Sequence, residues 1–179
     1  MQYHDMLWQP FPADADARLR RWLLDRGSLT RRIQQRCSHF QLDVLSQHMA
    51  AMDRDEYAIM GVRPGVRCLV REVSLICAQQ PVVFAHSVIE MRARRGAWRI
   101  VASLGVRPLG AALFADPRIK RYPLRFRQIN QRHELYDGAC NLAGHSPAYL
   151  WARRALYELR GSRLMVTEVF LPAILALAP

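Results

Sequence analysis

Apolar side chains recur at every second position in several stretches of the chain, which is the period of a β-strand. The clearest pair runs from Arg67 to Cys77 and from Pro81 to Glu90, and three residues between them predict a hairpin. A second pair, Trp151 to Leu159 and Leu164 to Leu171, flanks Gly161-Ser162. We interpret this second pair as a closing hairpin.

Weaker patterns surround the two hairpins. Phe40 to Met49 alternates well enough for a strand, and Ile119 to Ile129 mixes aromatic and basic residues as an edge or half-exposed strand does. Asp53 to Gly65 is polar and rich in turn formers, so we expect a loop. Asn130 to Pro147 has little periodicity, and we expect an irregular excursion there.

Helical spacing is confined to short segments. A first helix, capped by Asp14 or Asp16, precedes a second from Leu29 to about Arg36, and a third runs from Pro108 to Phe114. Helices come first and antiparallel strands dominate afterwards, with neither an internal repeat nor a linker. The pattern therefore predicts a single α+β domain that spans residues 1–179.

Two charged side chains lie on strand faces that are otherwise apolar. Arg71 shares its face with Val73 and Leu75. Glu168 shares its face with Val166. An ionised group on a buried face costs several kcal/mol unless a partner compensates it. A cation and an anion placed in this way suggest a polar pocket inside a β-sheet core.

Two interpretations of Arg71 and Glu168 stay open at this point. They are either the two halves of one buried salt bridge or two ends of a binding site. Glu72 follows Arg71 on the opposite strand face, so one of these adjacent charges must be less buried than the apolar pattern suggests. Periodicity does not say which one.

Two helix openings add a second candidate feature. The first backbone N–H groups of a helix have no internal partner and favour a carboxylate or phosphate. Ser28-Leu29-Thr30 and Pro108-Leu109-Gly110 are such openings. Every helix has one, however, and most bind only water or a capping side chain.

Composition narrows the class of partner. The net charge is +11, and Lys120 is the only lysine among 26 basic residues. This balance favours an anionic partner or reflects an arginine-rich solvated surface, of which Arg92, Arg94 and Arg95 are one cluster. No apolar run is long enough to cross a bilayer, and the N-terminal residues lack a signal-peptide pattern.

Cysteine and histidine positions predict no metal site. Cys37, Cys68, Cys77 and Cys140 lack the paired spacing of a zinc site, and we expect reduced thiols in a cytosol. The six histidines are scattered. Nothing in the chain has the pattern of a nucleotide-binding glycine loop or a nucleophile elbow.

Five short stretches, together with the N-terminal run from Trp22 to Thr30, occur in an order and spacing that resemble the chorismate–pyruvate lyase family of bacterial ubiquinone synthesis. The five are Val70–Val73, Gln80–Ser87, Leu104–Gly110 with Leu113-Phe114, Leu150–Arg154 and Val166–Pro172. Each is weak alone, but the resemblance extends over nearly the whole chain.

The resemblance implies a cofactor-free reaction that turns chorismate into 4-hydroxybenzoate and pyruvate. It implies that Arg71 binds the ring carboxylate with backbone N–H groups at Leu29 and Leu109, and that Glu168 faces the hydroxyl-bearing end of the ring. It also implies an antiparallel sheet with helices on one side and a ligand pocket enclosed between the sheet and helix-loop flaps. Leu29 departs from the methionine common in that family, which a backbone contact tolerates.

We therefore expect a cytoplasmic, monomeric lyase with Arg71 and Glu168 as catalytic residues and no metal. Its partners are the substrate chorismate and the product 4-hydroxybenzoate, and no nucleic acid is expected. The alternative is a non-catalytic effector-binding domain for small carboxylates with the same architecture. A DNA-binding module usually precedes such domains, and only a short helical lead precedes the sheet here.

Overall fold

The structure is a computed structural model that describes residues 7–90, 96–102, 104–105 and 107–177. The basic cluster of Arg92, Arg94 and Arg95 lies outside the described residues. Within the described ranges, no helix is long and apolar enough to cross a membrane.

The helices and strands alternate irregularly along the chain. The helices are α1 (Ala17–Leu23), α2 (Leu29–Gln34), α3 (Tyr57–Met60), α4 (Arg99–Ala102), α5 (Leu109–Ala115), α6 (Glu134–Ala143) and a closing 3-10 helix (Pro172–Ala176). The strands are β1 (Phe40–Ala50), β2 (Cys68–Cys77), β3 (Gln80–Glu90), β4 (Lys120–Arg121), β5 (Arg125–Ile129), β6 (Leu150–Leu159) and β7 (Ser162–Phe170).

The seven strands of the described residues belong to one antiparallel sheet. Its order is β1-β2-β3-β7-β6, and both β4 and β5 pair with the outer side of β6. The expected hairpins are confirmed, with β2–β3 turning at Ala78-Gln79 and β6–β7 turning at Arg160-Gly161. The expected α+β architecture is confirmed as well.

The predicted strand from Ile119 to Ile129 is two strands. β4 ends at Arg121 and β5 begins at Arg125, with Pro123 between them. Proline has no N–H to donate to a neighbouring strand, so the ladder stops there and resumes two residues later.

Helices cover both faces of the sheet. α1, α2, α4 and α5 pack on the face that carries Val73 and Val166. α3 and α6 pack on the other face, against Val88 and Phe84 respectively. The resemblance implies one helical layer, and the structure adds this second, thinner one.

The second layer consists of helices that the sequence pattern did not predict. Asn130 to Pro147, expected to be irregular, contains the ten-residue helix α6, and Asp53 to Gly65, expected to be a loop, contains α3. Gly138 is a packing residue rather than a helix breaker, because a Cβ there would lie 3.4 Å from the Phe84 ring. Gly144 adopts φ 73° and ends the helix.

The expectation of four reduced thiols is wrong for two cysteines. Cys37, which follows α2, and Cys77, at the end of β2, form a disulfide with their Cα atoms 5.7 Å apart. Cys68 and Cys140 are free and buried. The disulfide ties the segment after α2 to the sheet.

Candidate active site

A cavity lies between the sheet and the two short helices α2 and α5. Apolar side chains line most of it, including Val73, Leu113 and Val166. The polar side chains that reach it are those of Thr30, Arg71, Ser87, Arg153, Tyr157 and Glu168. All four residues singled out from the sequence, Leu29, Arg71, Leu109 and Glu168, line this one cavity.

Arg71 is a buried cation without a carboxylate partner among the described residues. It is 3% exposed, and its Nη2 donates to the carbonyl oxygen of Gly105 at 2.6 Å. Its Nε is buried and has no hydrogen-bond partner. Burial lowers the pKa of the guanidinium from its ordinary value. Because an unpaired buried charge is costly, this arrangement favours an anion that enters the cavity.

Glu168 is held by a different arginine. Arg153 Nε donates to Glu168 Oε2 at 2.5 Å, and the two residues are direct cross-strand partners on β6 and β7. Glu168 keeps 16% of its side chain exposed, so the paired carboxylate still faces the cavity. Arg71 and Glu168 are therefore not two halves of one salt bridge, and that interpretation is wrong.

The sheet register separates the two charged ends of the cavity. Arg71 pairs with Ser87 on β3, and Ser87 pairs with Val166 on β7, two residues before Glu168. Neighbouring strands lie about 4.8 Å apart with a rise of about 3.4 Å per residue, so the two Cα atoms are on the order of 12 Å apart. At this separation, the long side chains of Arg71 and Glu168 can contact opposite ends of a six-membered ring.

The two helix openings form the roof of the cavity and touch each other. Leu29 and Leu109 are the first residues of α2 and α5. A Cβ at Gly110 would lie 3.0 Å from Oγ of Ser28, so the absence of a side chain lets the two openings approach closely. Ser28 Oγ caps α2 by accepting from the N–H of Arg31.

Arg153 and Tyr157 belong to the site, although sequence reasoning gave them no role. Arg153 is 3% exposed and also donates to the backbone carbonyl oxygen of Asp25 at 2.7 Å. Burial and the nearby charge of Glu168 raise the pKa of Tyr157 to about 12. The signal was present, because Arg153 lies on an apolar strand face just as Arg71 does.

A second buried charge network lies on the opposite face of the sheet. Arg154 is 1% exposed, and its Nη2 contacts both carboxylate oxygens of Asp55 at 3.0 Å. Trp8 donates to the same carboxylate at 2.7 Å. Arg153 and Arg154 thus serve opposite faces, as the alternation of side chains along a strand requires.

The cavity chemistry suits a small cyclic acid rather than a metal. Among the described lining residues, Glu168 is the one carboxylate, and none is a histidine or cysteine. A guanidinium at one end, a fixed carboxylate at the other and apolar walls between them match a flat ring with an acid group and a hydroxyl group.

A family model described as chorismate lyase matches residues 3–177 of the chain. A probable chorismate pyruvate-lyase of Nitrosospira multiformis is 48% identical over 172 residues, which are 96% of each chain. Another of that name from Azoarcus is 49% identical over 170 residues, with 93% of this chain and 90% of the relative covered.

Solved structures with the same fold include proteins of another class. A GntR-family transcriptional regulator from Bacillus cereus superposes with a TM-score of 0.57 at 12% identity, covering 75% of this chain and 93% of the regulator. The effector domain of PhnF from Mycobacterium smegmatis gives 0.57 at 13% identity, covering 83% and 91%. At such low identity these likenesses describe the fold alone.

Proposed function

The chain belongs to the chorismate lyase family and is a lyase, and on that premise we propose that it converts chorismate into 4-hydroxybenzoate and pyruvate. The observation that carries the proposal is the buried guanidinium of Arg71, which lines the cavity without a carboxylate partner among the described residues. Chorismate is a dianion, and its ring carboxylate supplies the missing charge. The net charge of +11 helps to gather such a substrate.

In the bound complex, Arg71 holds the ring carboxylate, and the backbone N–H groups of Leu29 and Leu109 assist it. Charge-assisted hydrogen bonds of this kind are about twice as strong as neutral ones. Glu168 faces the opposite end of the ring, which carries the C4 hydroxyl group. The apolar walls keep the ring in a fixed orientation and exclude water.

The reaction breaks the bond between ring C3 and the ether oxygen and removes the proton from C4. The electron pair of the C3–O bond leaves with enolpyruvate, which takes up a proton at its methylene carbon to become pyruvate. The C4–H electron pair completes the aromatic ring. Aromatisation supplies the driving force, so the proposed reaction needs no cofactor and no metal.

Glu168 has two roles that fit its position. It either accepts the C4 proton as a general base or accepts a hydrogen bond from the C4 hydroxyl group. Arg153 supports both roles, because it fixes the carboxylate with the short contact to Oε2. Arg71 and Glu168 are the proposed catalytic residues in either case.

The alternative of an effector-binding domain is not favoured. Its support is a similarity of fold to transcriptional regulators that are only 12–13% identical to this chain. The lyase hypothesis is supported by relatives that are 48–49% identical over nearly the entire chain. We further propose that residues 1–179 act as one domain, as a monomer in the cytoplasm, without a nucleic-acid partner.

The decisive experiment incubates the purified chain with chorismate in buffer that contains a chelator. Pyruvate is followed with a coupled dehydrogenase, and 4-hydroxybenzoate is followed by chromatography. The proposal expects both products in equal amounts and at the same rate. Intact chorismate after prolonged incubation with folded protein, or pyruvate without 4-hydroxybenzoate, would contradict it.

A further inference from the structure

Three residues outside the cavity bring potential metal-ligand atoms close together. Asp53 and Glu56 lie on the segment that leads into α3, and His86 lies on β3, on the sheet face that α3 covers. One potential ligand atom from each of the three lies within 4.8 Å of the other two. The lyase cavity is on the opposite face, since its β3 residues are Ala85 and Ser87.

Three polar atoms of these residues lack a hydrogen-bond partner among the described residues. Asp53 Oδ2, Glu56 Oε1 and His86 Nε2 are all buried without a hydrogen-bond partner. The remaining Glu56 oxygen, Oε2, accepts from the backbone N–H of Asp53 at 3.0 Å, which fixes the carboxylate. Glu56 is 0% exposed and His86 is 4% exposed, so solvent does not compensate these atoms.

Glu72 orients the imidazole of His86 by contacting its other ring nitrogen, Nδ1. His86 Nδ1 lies 3.1 Å from Oε1 of Glu72, and Ser46 donates to the other oxygen of the same carboxylate at 3.0 Å. In the neutral imidazole, a hydrogen bond from Nδ1–H to a carboxylate leaves Nε2 with a lone pair that can bind a metal ion. This carboxylate–histidine arrangement is the one that usually supports a metal-binding histidine.

From these contacts we propose that Asp53, Glu56 and His86 bind a divalent transition-metal ion. Two carboxylate oxygens and one imidazole nitrogen suit zinc, manganese or iron(II), and three protein ligands leave a position for water. The ion would clamp the segment before α3 onto β3. Its role is structural, because the site lies behind the sheet from the proposed chemistry.

A proton on His86 is the competing occupant. Burial disfavours the charged imidazole, but the carboxylates of Glu56 and Glu72 outweigh burial and raise its pKa to about 10. A single imidazolium does not balance the carboxylates around it. Burial and the charge of Glu56 still raise the pKa of Asp53 to about 6. His86 Nε2 also stays 3.5 Å from Glu56 Oε1, too long for a good hydrogen bond. A divalent metal ion would balance these carboxylates more fully than the single proton on His86 does.

The test begins with the full chain, stripped with a chelator, dialysed and titrated with zinc alone by calorimetry. Cobalt(II) absorption serves as a second probe of the ligand set. We expect one zinc ion per chain with a dissociation constant in the micromolar range or below, and a thermal midpoint that rises with zinc concentration. Absence of stoichiometric zinc uptake by the folded native chain would overturn the proposal.

Variants assign the ligands. Asp53→Asn removes a charge from a half-buried side chain and should abolish stoichiometric binding, while Glu72→Gln should weaken binding 10- to 100-fold through His86. His145→Gln, an exposed histidine just after α6, is the matched control and should bind as the native chain does. Unchanged zinc binding in folded Asp53→Asn would overturn the proposal. Equal turnover with and without zinc separates this structural ion from the proposed reaction.

Discussion

Arg153 and Glu168 face each other directly across β6 and β7, and Arg153 Nε lies 2.5 Å from Glu168 Oε2. The same guanidinium reaches the backbone carbonyl oxygen of Asp25, just after α1, at 2.7 Å. One buried side chain therefore connects the proposed catalytic carboxylate to the helical layer above it. This contact fixes where the carboxylate points.

Replacing Arg153 should impair turnover more than substrate binding. Arg153→Lys keeps the positive charge but cannot hold both Glu168 and the carbonyl oxygen of Asp25 in the same geometry. We expect kcat to fall 10-fold or more with KM changed less than 3-fold, measured by pyruvate release. A variant with native kcat would show that the pair does not position the carboxylate.

Replacing Arg71 should impair substrate binding directly. Arg71→Ala removes the charged donor for a buried carboxylate, a loss of about 2–3 kcal/mol or roughly 100-fold in kcat/KM. Arg118→Ala is the control, because that side chain is 66% exposed and pairs with Asp116. The binding role of Arg71 is refuted if both variants process chorismate at the native rate.

Replacing Glu168 distinguishes its two roles. Glu168→Gln cannot accept a proton but can still accept a hydrogen bond from the C4 hydroxyl group. A general base therefore predicts a loss of 100-fold or more in kcat, whereas a binding role predicts a loss of about 10-fold or less. Chorismate deuterated at C4 provides a second readout, because a larger isotope effect in the variant means that proton removal has become slower.

Alternation along the strands was enough to single out the two charged residues at the ends of the cavity. Arg71 and Glu168 are exceptional on their apolar faces, and each does line the cavity. The same reasoning applied to β6 would have identified Arg153 and Arg154. The pairing of Glu168 with Arg153 instead of Arg71 depends on strand order, which local periodicity does not contain.

The layer behind the sheet could not be predicted in the same way. From the sequence, Gly138 predicts a loop, but in the structure it lies within α6 and lets that helix pack against Phe84. Asp53 and Glu56 come from one segment and His86 from β3, so local spacing does not predict that the three lie together. Likewise, the 40 residues between Cys37 and Cys77 do not suggest a disulfide until the fold brings the two together.

The disulfide should contribute to stability in oxidised protein. Closing a loop of 40 residues stabilises a chain by about 4 kcal/mol in the entropic model. We expect a reducing agent to lower the urea midpoint, and alkylation of the denatured, unreduced chain to label Cys68 and Cys140 alone. Labelling of all four cysteines in air-oxidised protein would contradict the pairing.

The Asp55–Arg154 pair should control stability in acid. Burial alone would raise the pKa of Asp55, but His133, Arg154 and Trp8 together hold it well below its ordinary value. The pair therefore stabilises the fold fully above the unfolded pKa of about 4, and this contribution is lost as the pH falls below that value. Asp55→Asn leaves Arg154 buried without its partner, which costs about 3–5 kcal/mol at neutral pH. Urea unfolding at a series of pH values from 7 to 3 checks both effects. The native chain should lose stability more steeply in acid than Asp55→Asn, and parallel pH profiles for the two would rule out this carboxylate as the acid-sensitive group.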